Sequence, residues 1–492
     1  MDRVSTNSDF PQQQLPNVVS DKDLYQVVET SPCLSVPSLQ GEEIMSRWRI
    51  FKNLFVLCFT YCLFYTGFWA LTNLQSTMNA AAGMGPDSQA VIYGFSMASS
   101  LFLPEMTMDW YGCKKVMIVA TSLCLPYIAA NIYLRWDALL ISSALYGLAS
   151  GPYSAAFTVY IDEIALQFER SVDENVEFIM ACFFGFYTFF MENTQVWGNI
   201  VSSLVLRPDK LPDIINASKP EQCGINFDLG GNSTNTNLTP PSHEERFLLV
   251  GIFIGMGVVS LILFGLFLDP LKNDIKRDGC DAVAGRFVKS LKHYRTFHQI
   301  LLIPITIYIG IESALYSNEF TQAYIACSWG VHHVGFVTVC FGVCGALMSL
   351  LVGPLVKCIS QMAVLILAAL ANVSICIVLF LWEPTPEFKT MYFVIAGVWG
   401  MGDAIWWSQV TALYGLMFPN DREAAFSNLY FWSFLGFFLS YSYANYFTVA
   451  VKINILLCFL LAGMLGYMIG QIRLKCSSRK EYVPIPDSGD SS

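Results

Sequence analysis

The chain has 492 residues, of which 54% are hydrophobic and 13% are charged. Soluble domains carry about 25% charged residues, so this composition excludes a disordered chain and a collagen-like fibre and indicates a protein dissolved mostly in lipid. With 28 basic against 38 acidic residues, the chain lacks the basic face that nucleic-acid binding requires. The lipid bilayer is therefore an expected partner, and nucleic acid is not.

Twelve apolar stretches follow one another along the chain, each near the length of about 20 residues that crosses a bilayer. The predicted spans are 54–76, 89–110, 116–134, 138–161, 178–206, 247–268, 300–325, 332–356, 362–382, 390–417, 424–451 and 453–471. None contains Lys or Arg, as expected when a central basic residue costs about 2.5–3.5 kcal/mol. The predicted fold class is an all-α integral membrane protein with twelve transmembrane helices.

Polar sequence separates these spans into two halves with tails at both ends. The first residues are rich in Ser, Pro and Gln and lack the apolar region of a signal peptide. The apolar stripe Phe287, Leu291, Tyr294 and Phe297 has basic neighbours, which predicts an amphipathic helix on the inner membrane surface, or otherwise a solvated basic loop. The predicted parts are a disordered cytoplasmic tail (1–50), an N-terminal six-helix half (51–268) with an outer loop (207–246), a cytoplasmic linker with the amphipathic helix (269–299), a C-terminal six-helix half (300–471) and a cytoplasmic tail (472–492).

Basic residues and glycosylation sequons give the same orientation. With the N-terminus inside, the basic residues outside are Arg135, Arg207, Lys210, Lys219, Arg246, Lys389 and Lys452, which leaves 28 − 7 = 21 inside. This is the positive-inside bias. The outer loop then holds three Asn-x-Ser/Thr acceptors, at Asn216, Asn232 and Asn237. Both termini are expected to be cytoplasmic and all three asparagines glycosylated.

The two halves repeat each other in sequence. Gly147 and Thr158 align with Gly400 and Thr411 at an offset of 253, and two prolines near the inner end of the second span of each half, Pro104 and Pro354, align at an offset of 250. Two six-helix halves that are related along the membrane normal describe the major facilitator architecture. The turn from Asp109 to Lys115 partly matches the acidic-Gly-basic turn of that superfamily.

Several motifs resemble one family within that superfamily. They are Asn53-Leu54 to Leu74-Gln75-Ser76, Val196 to Leu204, Cys223-Gly224, Tyr316 to Thr321, Trp399 to Ala404, Ala412 to Gly415 and Arg422 to Phe426. Together they resemble the uncoordinated-93 (Unc-93-like) family, nearest its A-type homologues, over roughly residues 50–475. The resemblance implies a major facilitator fold in a family that regulates potassium channels and escorts receptors.

Acids inside the predicted spans are the candidate functional residues. Glu192, Glu312 and Asp403 fall near mid-depth in spans five, seven and ten, which line the central cavity of this architecture, and Glu319 lies two turns beyond Glu312 on one helical face. No basic residue is expected at similar depth. Such carboxyl groups are protonated, face a wet cavity or bind a cation, or else they hydrogen-bond to neighbouring helices.

Three tryptophans lie within four residues of Asp403, namely Trp399, Trp406 and Trp407. They could form an aromatic box for a cation, or they could fill space between helices. The five histidines have no Cys or His partners at metal-binding spacing, so no metal site is expected. No cofactor and no catalytic motif is expected either.

Of the 15 cysteines, Cys223 and Cys327 fall on the outer side of the predicted topology. An oxidising compartment favours a disulfide between them, and the alternative is two unpaired thiols. In the C-terminal tail, Tyr482 and Ile485 fit the Tyr-x-x-apolar form of an endocytic sorting signal. The plasma membrane is the expected location, with an endosomal or lysosomal membrane as the alternative.

Two functions are compatible with these features, and neither is enzymatic. One is a regulator or escort of a channel or receptor that acts through membrane-helix contacts, for which the Gly251/Gly255 and Gly466/Gly470 pairs could allow close approach of a partner helix. The other is a proton- or cation-coupled transporter of a small solute, in which the intramembrane carboxyl groups carry a proton or a cation; a small cationic solute or a proton is then the expected partner. The family resemblance favours the regulator.

Overall fold

The computed structural model describes residues 45–78, 84–133, 135–172, 176–206, 223–227, 242–271, 297–418 and 422–481. Within these residues the chain forms twelve long helices and one short 3₁₀ turn, Gly224–Asn226. The helices are α1 (Arg47–Met78), α2 (Met84–Tyr111), α3 (Cys113–Ala130), α4 (Trp136–Glu169), α5 (Val176–Val205), α6 (His243–Phe267), α7 (Phe297–Trp329), α8 (Val331–Ile359), α9 (Gln361–Leu381), α10 (Lys389–Met417), α11 (Arg422–Ser442) and α12 (Val449–Glu481).

The helices differ in how apolar they are. Among the described residues, seven helices are long and apolar enough to cross a membrane by composition alone, namely α1, α3, α6, α7, α8, α9 and α12. The other five described helices are long enough but less apolar. Burial also differs between helices: 72% of the apolar window of α1 and of α7 is buried, against 33% in α6 and 39% in α12.

Several observed helix ends differ from the predicted boundaries, and three of the differences bear on the tails and on Lys452. α1 begins at Arg47, inside the predicted first tail, and α12 continues to Glu481, inside the predicted second tail. α11 ends at Ser442 and α12 begins at Val449, whereas span eleven was predicted to run to residue 451. This last difference places Lys452 in the first turn of a helix and not in an outer loop.

Residues Glu43–Gly466 form one compact unit, and the two halves meet within it along two seams. α5 packs against α8, and α2 packs against α11. The internal repeat is visible in the glycines. A Cβ added to Gly147 on α4 would meet the Ile92 backbone oxygen on α2, and one added to Gly400 on α10 would meet the Phe341 backbone oxygen on α8. Equivalent glycines thus allow equivalent helix crossings in the two halves.

The turns after the second helix of each half also share one backbone conformation. Gly112, between α2 and α3, has φ 77° and ψ 156°, and Ser360, between α8 and α9, has φ 77° and ψ 150°. This region of backbone conformation is almost confined to glycine. The C-terminal half therefore has the same turn, with a serine at the position of the glycine.

Ion pairs of Asp269 join the end of α6 to the start of α1. Asp269 Oδ2 lies 2.9 Å from Lys52 Nζ and 3.1 Å from an Arg49 guanidinium nitrogen, and the Asp269 backbone N–H donates to Asn53 Oδ1. Burial alone would raise the pKa of Asp269, but the hydrogen bonds from Lys52 and Arg49 outweigh it and lower that pKa.

Candidate functional site

Three carboxyl groups from three helices meet in the middle of the molecule. Glu192 on α5, Glu312 on α7 and Asp403 on α10 are each at most 5% exposed. The carboxyl group of Asp403 interacts with that of Glu192 and with that of Glu312. The structure therefore brings together three of the four acids that the sequence singled out.

Hydrogen bonding around this cluster is uneven. Ser313 Oγ donates to Asp403 Oδ1 at 3.0 Å, and Trp407 Nε1 donates to Ser313 Oγ at 3.4 Å. In the described part of the chain, no donor makes a hydrogen bond of normal geometry to either carboxyl oxygen of Glu192 or Glu312. A buried carboxyl group without a donor is costly, so these two groups need a proton, a water or a ligand.

The seam between α5 and α8 shapes the position of Glu192. A Cβ added to Gly345 on α8 would lie 2.7 Å from Glu192 Cδ. Because any side chain at that position would push the carboxyl group away, a glycine is required there if Glu192 is to reach Asp403.

Two neighbouring cavities adjoin the cluster. One is lined by Glu192, Asp403, Ser313 and Tyr316, and the other is lined mostly by aromatic side chains of α1, α4, α5 and α11. Trp69, Met191 and Trp407 line both. Among the described residues, the lining of these two cavities contains no Lys, Arg or His. No group of three His, Cys, Asp or Glu in the described residues is arranged to hold a metal ion.

Glu319, the fourth acid, does not join the cluster. It forms a buried ion pair with Lys452, whose Nζ lies 2.7 Å from Glu319 Oε1 and also donates to the Ala444 backbone oxygen at 2.6 Å. Asn318 donates to the same Glu319 oxygen at 2.9 Å. The expectation that no basic residue lies at the depth of these acids is therefore wrong, because Lys452 lies inside α12.

The expected common face of Glu312 and Glu319 is also wrong. Residues Leu315–Ala326 of α7 form a π-helix, which has more residues per turn than the α-helix assumed for the spacing. Glu312 lies in the α-helical part before it. Seven residues therefore no longer return to the same side, and the two carboxyl groups have different neighbours.

The structure does not assemble the expected aromatic box around Asp403. Trp399 packs against Tyr316 and Phe320, at centroid distances of 5.3 and 5.7 Å, and Trp406 packs against Tyr308 at 5.2 Å. Of the three tryptophans, Trp407 shares a cavity with Asp403. Helical spacing explains this, since residues 399, 406 and 407 point in different directions on α10.

A disulfide joins Cys223 to Cys327, with a Cα–Cα distance of 5.7 Å and a sequence separation of 104. It connects the short segment 223–227 to the C-terminal end of α7. Gly224, which has φ 74°, packs beside Pro384 and Tyr324. The loop segment is therefore attached to the C-terminal half.

Other predicted features lie outside the described residues. These are the glycosylation acceptors Asn216, Asn232 and Asn237, the sorting residues Tyr482 and Ile485, and the stripe Phe287, Leu291 and Tyr294 of the linker. Of the glycine pairs, Gly251 and Gly255 would meet nothing within 4 Å on gaining a Cβ, whereas Gly466 would meet the Leu301 backbone oxygen on α7. Gly466 thus serves internal packing.

Sequence reasoning missed two parts of the site. One is Lys452. The short polar break 443–448 between two apolar stretches indicates that the last helix begins before Lys452. The other is the aromatic cavity. Tyr61 and Tyr65 lie four residues apart on α1, which places them on one face, and Tyr153 and Tyr187 complete the group from α4 and α5.

The fold and the buried carboxyl cluster define a polytopic membrane protein with the major facilitator fold. The solved structure of the major facilitator proton:xylose symporter XylE is similar, with a TM-score of 0.58 at 13% identity, covering 86% of this chain and 96% of that chain. The model of the family described as "Ion channel regulatory protein UNC-93" matches residues 74–468. The chain belongs to the UNC-93 family.

Two relatives illustrate this membership. Protein unc-93 homolog A of Xenopus laevis is 35% identical over 423 residues, covering 85% of this chain and 92% of that protein. A Caenorhabditis elegans relative, which is named as a potassium channel regulatory protein, unc-93, is 26% identical over 429 residues, covering 85% of this chain and 61% of that protein.

Proposed function

We propose that this protein regulates or escorts a membrane partner, an ion channel of the potassium type or a receptor, through contacts between membrane helices. The observation that carries the proposal is the exposed face of α6. The chain's membership of the UNC-93 family gives this face its interpretation. Within the described part of the chain, a Cβ added to Gly251 or Gly255 would meet nothing within 4 Å, which leaves a small-residue surface on that helix. Small residues let the backbones of two membrane helices approach closely.

The test enlarges this surface. The doubly substituted variant Gly251→Leu/Gly255→Leu should lose most of the partner that co-purifies from native membranes, because two leucine side chains hold a second helix away. Gly265→Leu is the matched control, since Gly265 on the same helix also has nothing within 4 Å of an added Cβ. Mass spectrometry of the purified complexes compares the three proteins at equal surface delivery. Equal recovery of partners by both variants would contradict the proposal.

A second candidate function is proton- or cation-coupled transport of a small solute. The specific observation in its favour is the cluster Glu192, Glu312 and Asp403 beside a cavity. A coupled transporter needs a group that gains and loses a proton or cation in each cycle. Glu312→Gln or Asp403→Asn should then abolish cation-dependent uptake in vesicles while partner recovery stays normal. Uptake that is unchanged in both variants would exclude these residues as couplers. Neither function includes a catalytic step.

We also propose the topology and location that the sequence indicated. Both termini are cytoplasmic, the outer loop carries glycans at Asn216, Asn232 and Asn237, and the protein resides in the plasma membrane, with an endosomal or lysosomal membrane as the alternative. The halves extend over 51–268 and 300–471, joined by the linker 269–299 with its amphipathic helix. Substituting all three asparagines with Gln should remove the mass shift caused by glycosidase, and unchanged gel mobility would contradict this orientation.

A further inference from the structure

The cavity between α1, α4, α5 and α11 has walls of tyrosine rings. Tyr61 stacks on Tyr65 with centroids 4.2 Å apart, and Tyr187 meets Tyr61 edge-on at 5.2 Å. Tyr153 lies 5.6 Å from Tyr65, and Trp407 lines the same space. The faces of such rings carry negative partial charge, which attracts a cation placed against them.

A polar atom in this wall lacks a partner. Tyr153 is 2% exposed, and its hydroxyl makes no hydrogen bond within the described residues although it lines the cavity. Buried hydroxyl groups are normally hydrogen-bonded. The Tyr153 hydroxyl is therefore available to hydrogen-bond with a polar group of a ligand in this cavity.

The neighbouring cavity supplies carboxyl groups. Glu192 and Asp403 line it, and Trp407 forms part of the wall of both cavities. Glu192 is 1% exposed, and neither of its carboxyl oxygens accepts a hydrogen bond from a described residue. Closely spaced carboxyl groups share protons, so the cluster can keep at least one negative charge. No basic side chain in the described lining neutralises that charge.

We propose that the two cavities together bind a small organic cation of the quaternary ammonium class. Its charged head lies beside Trp407, between the tyrosine faces and the carboxyl groups of Glu192 and Asp403, and a hydroxyl or ether group on its body reaches Tyr153. Aromatic walls next to an acid suit a soft cation with an apolar shell. Among the described residues, no group of three His, Cys, Asp or Glu is arranged to hold a metal ion, whereas an organic cation needs aromatic faces and one nearby carboxylate. An anion would be repelled.

This proposal goes beyond both proposed functions, because it requires only that the ligand binds, whether or not the ligand is transported. The ligand could act as an effector of a regulator or as the cargo of a transporter. Flux measurements therefore test a different statement from the binding measurements below.

The experiment compares choline with 3,3-dimethyl-1-butanol, which has nearly the same shape and no charge. Full-length protein in lipid nanodiscs is titrated with each compound, following thermal stability and tryptophan fluorescence. Choline should bind at least about tenfold more tightly than the alcohol, since the cation interacts with the rings and with a desolvated carboxylate. Asp403→Asn and Glu192→Gln should each weaken choline binding about tenfold without changing the response to the alcohol.

Two further variants make the result decisive. Trp407→Leu should weaken choline binding, because it removes a wall of both cavities. Asp137→Asn is the matched control, since Asp137 is an exposed acid paired with Arg135 that lines neither cavity, and it should leave binding unchanged. Equal affinity for choline and the alcohol, loss of choline binding in Asp137→Asn, or absence of choline binding in the folded wild-type protein would each overturn the proposal. Choline binding without choline flux would uphold it and exclude choline as the cargo of the second candidate function.

Discussion

Lys452 Nζ lies 2.7 Å from Glu319 Oε1, and both side chains are at most 2% exposed. The ion pair joins the first turn of α12 to the π-helical part of α7. Because removing two charges from water is expensive, such a pair persists only with further hydrogen bonds. Here Asn318 and the Ala444 backbone oxygen supply them. The pair fixes how the outer ends of these two helices fit together.

Breaking this pair on one side should destabilise the protein strongly. Lys452→Met leaves a buried carboxylate without its cation, which typically costs about 3–5 kcal/mol. The double variant Lys452→Met/Glu319→Gln should be more stable than either single variant, because no buried charge remains. Unfolding in mild detergent measures all three. Arg135→Gln is the control, since its pair with Asp137 is exposed and should contribute little. A Lys452→Met effect no larger than this control would contradict the expectation.

The turn between α8 and α9 should become more stable with a glycine. Ser360 has φ 77° and ψ 150°, a conformation that costs a residue with a Cβ about 1–3 kcal/mol. Ser360→Gly should therefore raise the unfolding temperature, while Gly112→Ser, its counterpart in the N-terminal half, should lower it. The same thermal unfolding assay measures both variants. A change of the same sign in both would show that the two turns are not equivalent.

Acid should weaken the ion pairs of Asp269 at the start of α1. The folded-state pKa of Asp269 is lowered, so its contribution is present above the ordinary aspartate pKa of about 3.9 and is lost as the pH falls below it, through the folded-state value. Wild-type stability should decline across this range, and Asp269→Asn should show a smaller decline from a lower starting value. Unfolding measured at stepwise lower pH checks this, and parallel curves for the two proteins would refute it.

Loss of the disulfide should loosen the outer side of the protein. Cys223→Ser should destabilise it by roughly 2–5 kcal/mol, the usual effect of removing a native disulfide that closes a long loop. Cys327→Ser and the double variant should match it, because all three remove one bond. Alkylation of the folded wild-type protein under non-reducing conditions should leave both thiols unlabelled. Free labelling of Cys223 and Cys327 would rule the bond out.

Most of the fold could be predicted because bilayer thickness imposes a length on every span. Twelve apolar stretches match twelve helices, and the offset that aligned Gly147 with Gly400 reflects two glycines with the same packing role. Helix ends were harder to predict. The polar break between α11 and α12 is short and contains aromatic residues, so the predicted span eleven ran through it and left Lys452 in a loop.

The candidate site was partly predictable for a similar reason. Glu192, Glu312 and Asp403 stand out because acids are rare in lipid-spanning helices, and repeat topology placed their helices around one cavity. The position of Glu319 was not predictable, because the π-helix of α7 changes the helical repeat and no residue pattern announces it. The tyrosine cavity was missed because Tyr, unlike Glu or Asp, is common in apolar stretches and does not stand out.

The segment 223–227 is encoded between α5 and α6, in the N-terminal half, but its contacts are with the other half. Cys223 is bonded to α7, and Gly224 rests on Pro384 between α9 and α10. When two halves of a major facilitator fold rock against each other, this segment must travel with the half to which it is fastened. A binding protein that contacted this segment would therefore sense, or restrain, the position of the C-terminal half while touching a loop that belongs to the N-terminal one.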